Sequence, residues 1–192
     1  MKKLHRTALT IAVTAAAVTG GLGIADAASA QSTTSAQSTT SAGHGTDPRA
    51  ADLRANERVV QTFLQEVIDG HDGAATADLV TPDVSWHGGT LGVVSGRSNV
   101  TGLFTGIVTA LPDLHSTVHD LIGQGDQVVV RQVMTGTQKG AIIGIPASGH
   151  SVTWNAIEIF VVRDGKISQI WAGDDWTAIL DDTGTYKAPW IS

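Results

Sequence analysis

Val152-Thr153-Trp154-Asn155-Ala156-Ile157-Glu158-Ile159-Phe160-Val161-Val162-Arg163-Asp164-Gly165-Lys166-Ile167-Ser168-Gln169-Ile170-Trp171-Ala172 is the stretch that decides the fold. Two runs rich in β-branched and aromatic residues flank an Asp-Gly pair, the strongest short hairpin signal. The pattern predicts a long strand over 152–162, a tight turn at Asp164-Gly165 and a last strand over 166–172. Upstream the period is also two. It predicts strands over 114–122 and 128–137, joined by a turn at Gly123-Gln124-Gly125-Asp126. A loop over 140–149, centred on Gly144-Ile145-Pro146, separates them from the hairpin. Downstream, Asp174-Asp175 precedes an apolar helical segment from Trp176 to Leu180.

The first half of the domain reads as mostly helical. Asp47-Pro48 has the form of an N-cap followed by proline at the first helical position. Val60, Phe63, Leu64, Val67 and Ile68 then fall on one helical stripe that ends near Gly70. Asp72 is placed to cap a short second helix that Pro82 closes. Val84 to His87 reads as a short strand and Gly88 to Gly96 as a loop. Ser98 is placed to cap a third helix with Val100, Leu103, Phe104, Ile107, Val108 and Leu111 on one face, stopped by Pro112. The order α-α-β-α-β-β-β-β is that of an α+β domain with a terminal antiparallel meander. A strongly curled sheet with helices on one face leaves a pocket on its concave side.

Outside that domain, Lys2, Lys3 and Arg6, the apolar run 8–24 and Ala28-Ser29-Ala30 have the layout of a secretory signal peptide over 1–30. QSTTSA occurs twice in succession, at 31–36 and 37–42, within a Ser/Thr-rich tether over 31–47 that has little apolar area to bury. The expected domain covers 48–186, with a tail over 187–192. The chain carries a formal charge of −6. Residues 1–30 hold three basic residues and one acidic residue, so 9 basic and 17 acidic side chains remain after them. That surface argues against nucleic acid and anionic membranes as partners. There is no cysteine, so an exported chain would be held by packing alone and would not be a lipid-linked lipoprotein.

The matching residues Val59-Val60-Gln61-Thr62-Phe63-Leu64, Leu79-Val80-Thr81-Pro82-Asp83-Val84, Leu111-Pro112-Asp113-Leu114 and Gly125-Asp126-Gln127-Val128-Val129-Val130-Arg131 occur in a telling order. Gly136-Thr137, Gly144-Ile145-Pro146, Asp164-Gly165-Lys166-Ile167 and Trp171 with Asp175 four residues on complete the series. In this order the chain resembles the SnoaL-like polyketide cyclases, also called ester cyclases, of the nuclear transport factor 2-like superfamily. The resemblance covers roughly residues 53–184. It implies a cone: a curved antiparallel sheet wrapped over three helices, with one apolar cavity. It also implies cofactor-free, metal-free general acid/base catalysis of an aldol ring closure, with Asp175 as the acid/base, and a possible homodimer. The chain departs from the family at four places: Gln169 for a Glu, Gln138 for a His, His119 for an acid, and His87-Gly88-Gly89 for His-x-Pro.

An aldol closure needs a proton taken from carbon and one delivered to a ketone oxygen. A carboxyl whose pKa an apolar pocket raises can do both. Strict alternation places Ile167, Gln169, Trp171, Gly173 and Asp175 on one face, where Trp171 would desolvate Asp175. The other reading of Asp175 is an N-cap of the terminal helix, a role Asp174 could share. His87 is a candidate to orient substrate or a hydrogen-bonded rim residue. Arg131 is a candidate anchor for a substrate oxygen, or the partner of Glu158 in a cross-strand ion pair. Trp86, Trp154 and Trp171 are candidate stacking surfaces, or core filling. His115 and His119, four apart on a strand, are roughly 13 Å from each other and too far for one zinc. The substrate expected is a small hydrophobic carbonyl compound. The alternative is a non-catalytic extracellular module that binds an apolar small molecule.

Overall fold

The computed structural model describes residues 48–191. The expected signal peptide, the tether and the capping role of Asp47 lie outside the described residues. Helix α1, Pro48–Phe63, runs into a π-helical turn, Leu64–Asp69, and ends at Gly70 as the sequence predicts. The stripe Val60, Phe63, Leu64, Val67 and Ile68 is buried throughout. Phe63 sits edge-on to Phe104 at 4.9 Å and against Phe160 at 5.7 Å, so this one ring joins α1 to the third helix and to the sheet. Asp72 caps the turn Gly73–Ala75 by accepting from the Ala74 and Ala75 N–H groups, and α2, Thr76–Leu79, follows.

Strand β1 is Val80–His87, so Pro82 lies in a strand rather than closing a helix. Within the expected loop lies a three-residue strand, β2, Val93–Ser95, paired antiparallel with Ser85–His87. Three residues are too few for alternation to register in a sequence. Helix α3, Arg97–Ala110, starts at Gly96, not Ser98. Gly96 has φ +85°, a left-handed value that glycine tolerates, and its carbonyl accepts the Val100 N–H. Val100, Phe104 and Val108 are buried as the stripe requires.

Strands β3, His115–Gln124, β4, Gln127–Thr137, β5, Ser151–Arg163, and β6, Lys166–Asp174, form the expected meander. Helix α4, Trp176–Asp182, follows it. The sheet order is β2-β1-β6-β5-β4-β3. It is mixed: β1 runs parallel to β6, and all other pairs are antiparallel. The six strands form a curved, unclosed sheet whose concave face packs on the helices. Beyond α4 the chain folds back, and Ala188 is fully buried. No helix among the described residues is long and apolar enough to cross a membrane.

The detail that matters most lies in β6. Opposite β5, Val162 pairs with Ile167 but Val161 pairs with Gln169, so Ser168 is an extra residue. Its Oγ donates to the Val161 carbonyl. A bulge of this kind reverses the alternation beyond it. Ile167 and Ile170 therefore both face the core, with no exposure.

Candidate active site

The concave face of β5 presents Val152, Trp154, Ala156, Glu158, Phe160 and Val162 in strict alternation. Glu158 is the one acid in an otherwise apolar row. Across from it, the β6 bulge turns Ile170 and Asp174 toward the same side. Asp174 pairs with Ala156 and Glu158 with Ala172, so the two acids are diagonal neighbours on adjacent strands. Both line a cavity of about 50 Å³. Its walls include Phe63, Trp86, Phe104, Trp154 and Trp176, together with Gln132.

Gln132, Glu158 and Asp174 are each held by a hydrogen bond. Gln132 Nε2 donates to Glu158 Oε2 at 3.0 Å. Ser116 Oγ in turn donates to Gln132 Oε1 at 2.5 Å, which fixes which end of the amide faces the acid. Trp154 Nε1 donates to Asp174 Oδ1 at 2.7 Å. Burial disfavours the charged carboxylate and pushes Glu158 up, the negative charge of Asp174 adds to this, and the Gln132 hydrogen bond opposes it; the result is about 8. Burial also raises Asp174, against the Trp154 hydrogen bond. The negative charge of Asp174 thus helps to hold a proton on Glu158. Two acids raised together in one apolar cavity are candidates for a proton donor and a proton acceptor.

This geometry fits the sequence comparisons. The model of the SnoaL-like polyketide cyclase family matches residues 58–183. The chain belongs to this family. Among solved structures it is similar to TsrD from Streptomyces laurentii, at 25% identity over 69% of this chain and 97% of that one, with a TM-score of 0.61. It is also similar to a putative SnoaL-like polyketide cyclase from Jannaschia sp. CCS1, at 22% identity over 75% and 99% of the two chains, with a TM-score of 0.64. IdmH, a putative polyketide cyclase from Streptomyces antibioticus, matches at 25% identity over 67% and 98%, with a TM-score of 0.57. No curated protein matches the sequence. Membership of the SnoaL-like polyketide cyclase family supports an enzyme of the lyase or isomerase type.

Of the residues singled out in the sequence, the structure brings Trp86 and Trp154 into the cavity. It places the others elsewhere. Asp175 is exposed and caps α4 by accepting the Ala178 N–H at 3.2 Å; its neighbour Asp174 lines the cavity instead. Gln169 and Trp171 lie on the outer sheet face, where Trp171 Nε1 donates to Gln169 Oε1. His87 stacks on Trp171 with ring centres 3.9 Å apart, and its Nε2 bonds Ser85 Oγ at 2.9 Å. Arg131 pairs with Asp120 at 2.6 Å, not with Glu158, because neighbours along a strand point to opposite faces and Arg131 sits opposite Ile157. The sequence reading missed Glu158 as a site residue. Its signal was present: an acid in register with Trp154, Ala156, Phe160 and Val162.

Proposed function

We propose that this chain is a polyketide cyclase or ester cyclase-type enzyme that uses Asp174 and Glu158 as its acid/base pair, without a cofactor, on a small hydrophobic carbonyl compound. The pairing of the two acids in one apolar cavity carries the reading. The ionised Asp174 carboxylate, steadied by Trp154, removes a proton from the carbon next to a carbonyl. The resulting carbanion attacks a second carbonyl in the same molecule and forms the new C–C bond. Glu158 gives its proton to the oxygen of that carbonyl. The proton now on Asp174 passes to Glu158, which restores the starting state, and no other reactant is consumed. A raised pKa at Asp174 makes it a stronger base, and one at Glu158 keeps its proton available near pH 7.

Residues 1–30 support export before the domain acts. The exposed apolar side chains Ile157 and Trp171 on the outer face support a homodimer built there. Export also favours the binding-only alternative, because polyketide assembly takes place inside the cell. One experiment separates the two readings. Wild-type protein incubated with 2-hexanone in D2O should accelerate deuterium uptake next to the carbonyl. Asp174→Asn should lose about 100-fold or more of that rate, while Asp175→Asn retains it. Binding of the ketone without exchange would leave the binding module as the function.

A further inference from the structure

The cavity that holds Glu158 and Asp174 is small. Its volume of about 50 Å³ compares with about 300–1,000 Å³ for ordinary ligand pockets. A surface groove runs along its outside, between α3 and the loop after β4. Gly102 and Gly106, one turn apart on α3, form the floor. A Cβ at either glycine would meet nothing within 4 Å. Ile107, Ile142 and Ile143 line both the groove and the cavity, so they are the partition between the two.

That partition has one unusual member. Ile143 has φ +46° and is 40% exposed. A β-branched residue rarely adopts this backbone conformation, and strain of this kind collects at functional sites. The tip is a narrow turn in which Ile142 and Ile145 exchange backbone hydrogen bonds. The loop base, by contrast, is fixed. Gln138 is buried, donates to the Pro146 carbonyl at 3.0 Å, and accepts from the Ser148 N–H and Oγ. Ile143 thus sits on a strained tip over a rigid base.

We propose that the groove is a second subsite for the same substrate: the reacting carbonyl end occupies the cavity, and an apolar chain passes the Ile107–Ile143 partition to lie along Gly102 and Gly106. The proposal rests on the acid/base reading of the cavity for which end enters. Continuity with the cavity argues for the occupant, because the shared wall lets one molecule reach both spaces. The two glycines carry no side chain, so this part of the groove stays open.

Methyl ketones from 2-butanone to 2-decanone test this, read by quenching of the tryptophan fluorescence of the intact protein. Trp86, Trp154 and Trp176 line the cavity and report its occupancy. Each methylene that enters the groove should tighten binding about fourfold. Gly106→Leu should lower the ratio of 2-decanone to 2-butanone affinity at least tenfold. This variant adds a better helix former at an open position, so its unfolding midpoint should match or exceed the wild type. A wild-type ratio near one, or a ratio that Gly106→Leu leaves unchanged, overturns the groove alone. Failure of every ketone to bind overturns the cavity reading with it.

Discussion

Asp174→Asn should lower the midpoint at which Glu158 titrates, and Asp175→Asn should not. The two substitutions are one residue apart and remove the same charge, so only placement distinguishes them. Asp174 is a diagonal neighbour of Glu158 in the cavity, whereas Asp175 faces solvent at the start of α4. Two unit charges about 7 Å apart at an effective dielectric constant of about 20 interact by about 2 kcal/mol, or between one and two pH units. Removing the negative charge favours the ionised form of Glu158, so its midpoint falls from about 8 toward the 6–7 range. It stays above 4.5 because burial, the larger cause, remains. Asn can still accept the Trp154 N–H through its amide oxygen, so the cavity wall is kept. Carboxyl-detected NMR on protein labelled at glutamate reads this directly, because the sequence contains only Glu57, Glu66 and Glu158. A Glu158 midpoint near 4.5 in the wild type would refute the burial argument. Equal shifts in the two variants would refute the assignment of Asp174 to the cavity.

The same raised pKa bears on stability. In the unfolded chain Glu158 titrates near 4.5, and in the folded chain at about 8. The folded state binds the proton more tightly, so this contribution is complete below about pH 4.5 and lost as pH rises through 8; its ceiling is about 5 kcal/mol. Denaturant unfolding at pH 5 and pH 8 should show that loss, and Glu158→Gln should flatten it. Asp175→Ala should cost about 1 kcal/mol through loss of the α4 cap, seen in the denaturation midpoint, with ketone exchange retained. Gly73→Ala should cost about 1–3 kcal/mol or more by overpacking, because its Cβ would lie 2.4 Å from Thr105 Cα on α3; an unchanged unfolding midpoint would contradict that close approach.

Most of the architecture was legible because its signals are periodic. The stripe from Val60 to Ile68 and the alternation of β4 and β5 each repeat often enough to fix element type and buried face. Strand β2 repeats too little, and its pairing with β1 is a tertiary contact. The parallel pairing of β1 with β6 joins segments about 85 residues apart, and nothing local encodes it. The Ser116–Gln132–Glu158 chain has the same origin. It needs the register of three strands, and β3 carries an irregularity between Val118 and Asp120 that no local pattern reveals.

Asp174 and Asp175 are a different case, since the sequence displays both acids but not the bulge that reverses the alternation before them. Counting by twos from Ile167 reaches Gln169, Trp171, Gly173 and Asp175; counting from Ile170 reaches Ala172 and Asp174. Both starting residues are fully buried, which is possible only because Ser168 is extra. The bulge therefore does more than bend a strand. It sends Trp171 outward to stack on His87 and turns Asp174 inward to accept from Trp154. It leaves Asp175 at the strand end, where a helix needs its first N–H groups capped. A tandem pair of acids can then serve two ends at once, the inner one desolvated and basic, the outer one solvated and structural. In a bulge-free strand phased from Ile167, Asp175 would face the cavity and the cap would have to come from another residue. The acid/base assignment follows from the backbone phase at Ser168 rather than from the spacing between Trp171 and an aspartate.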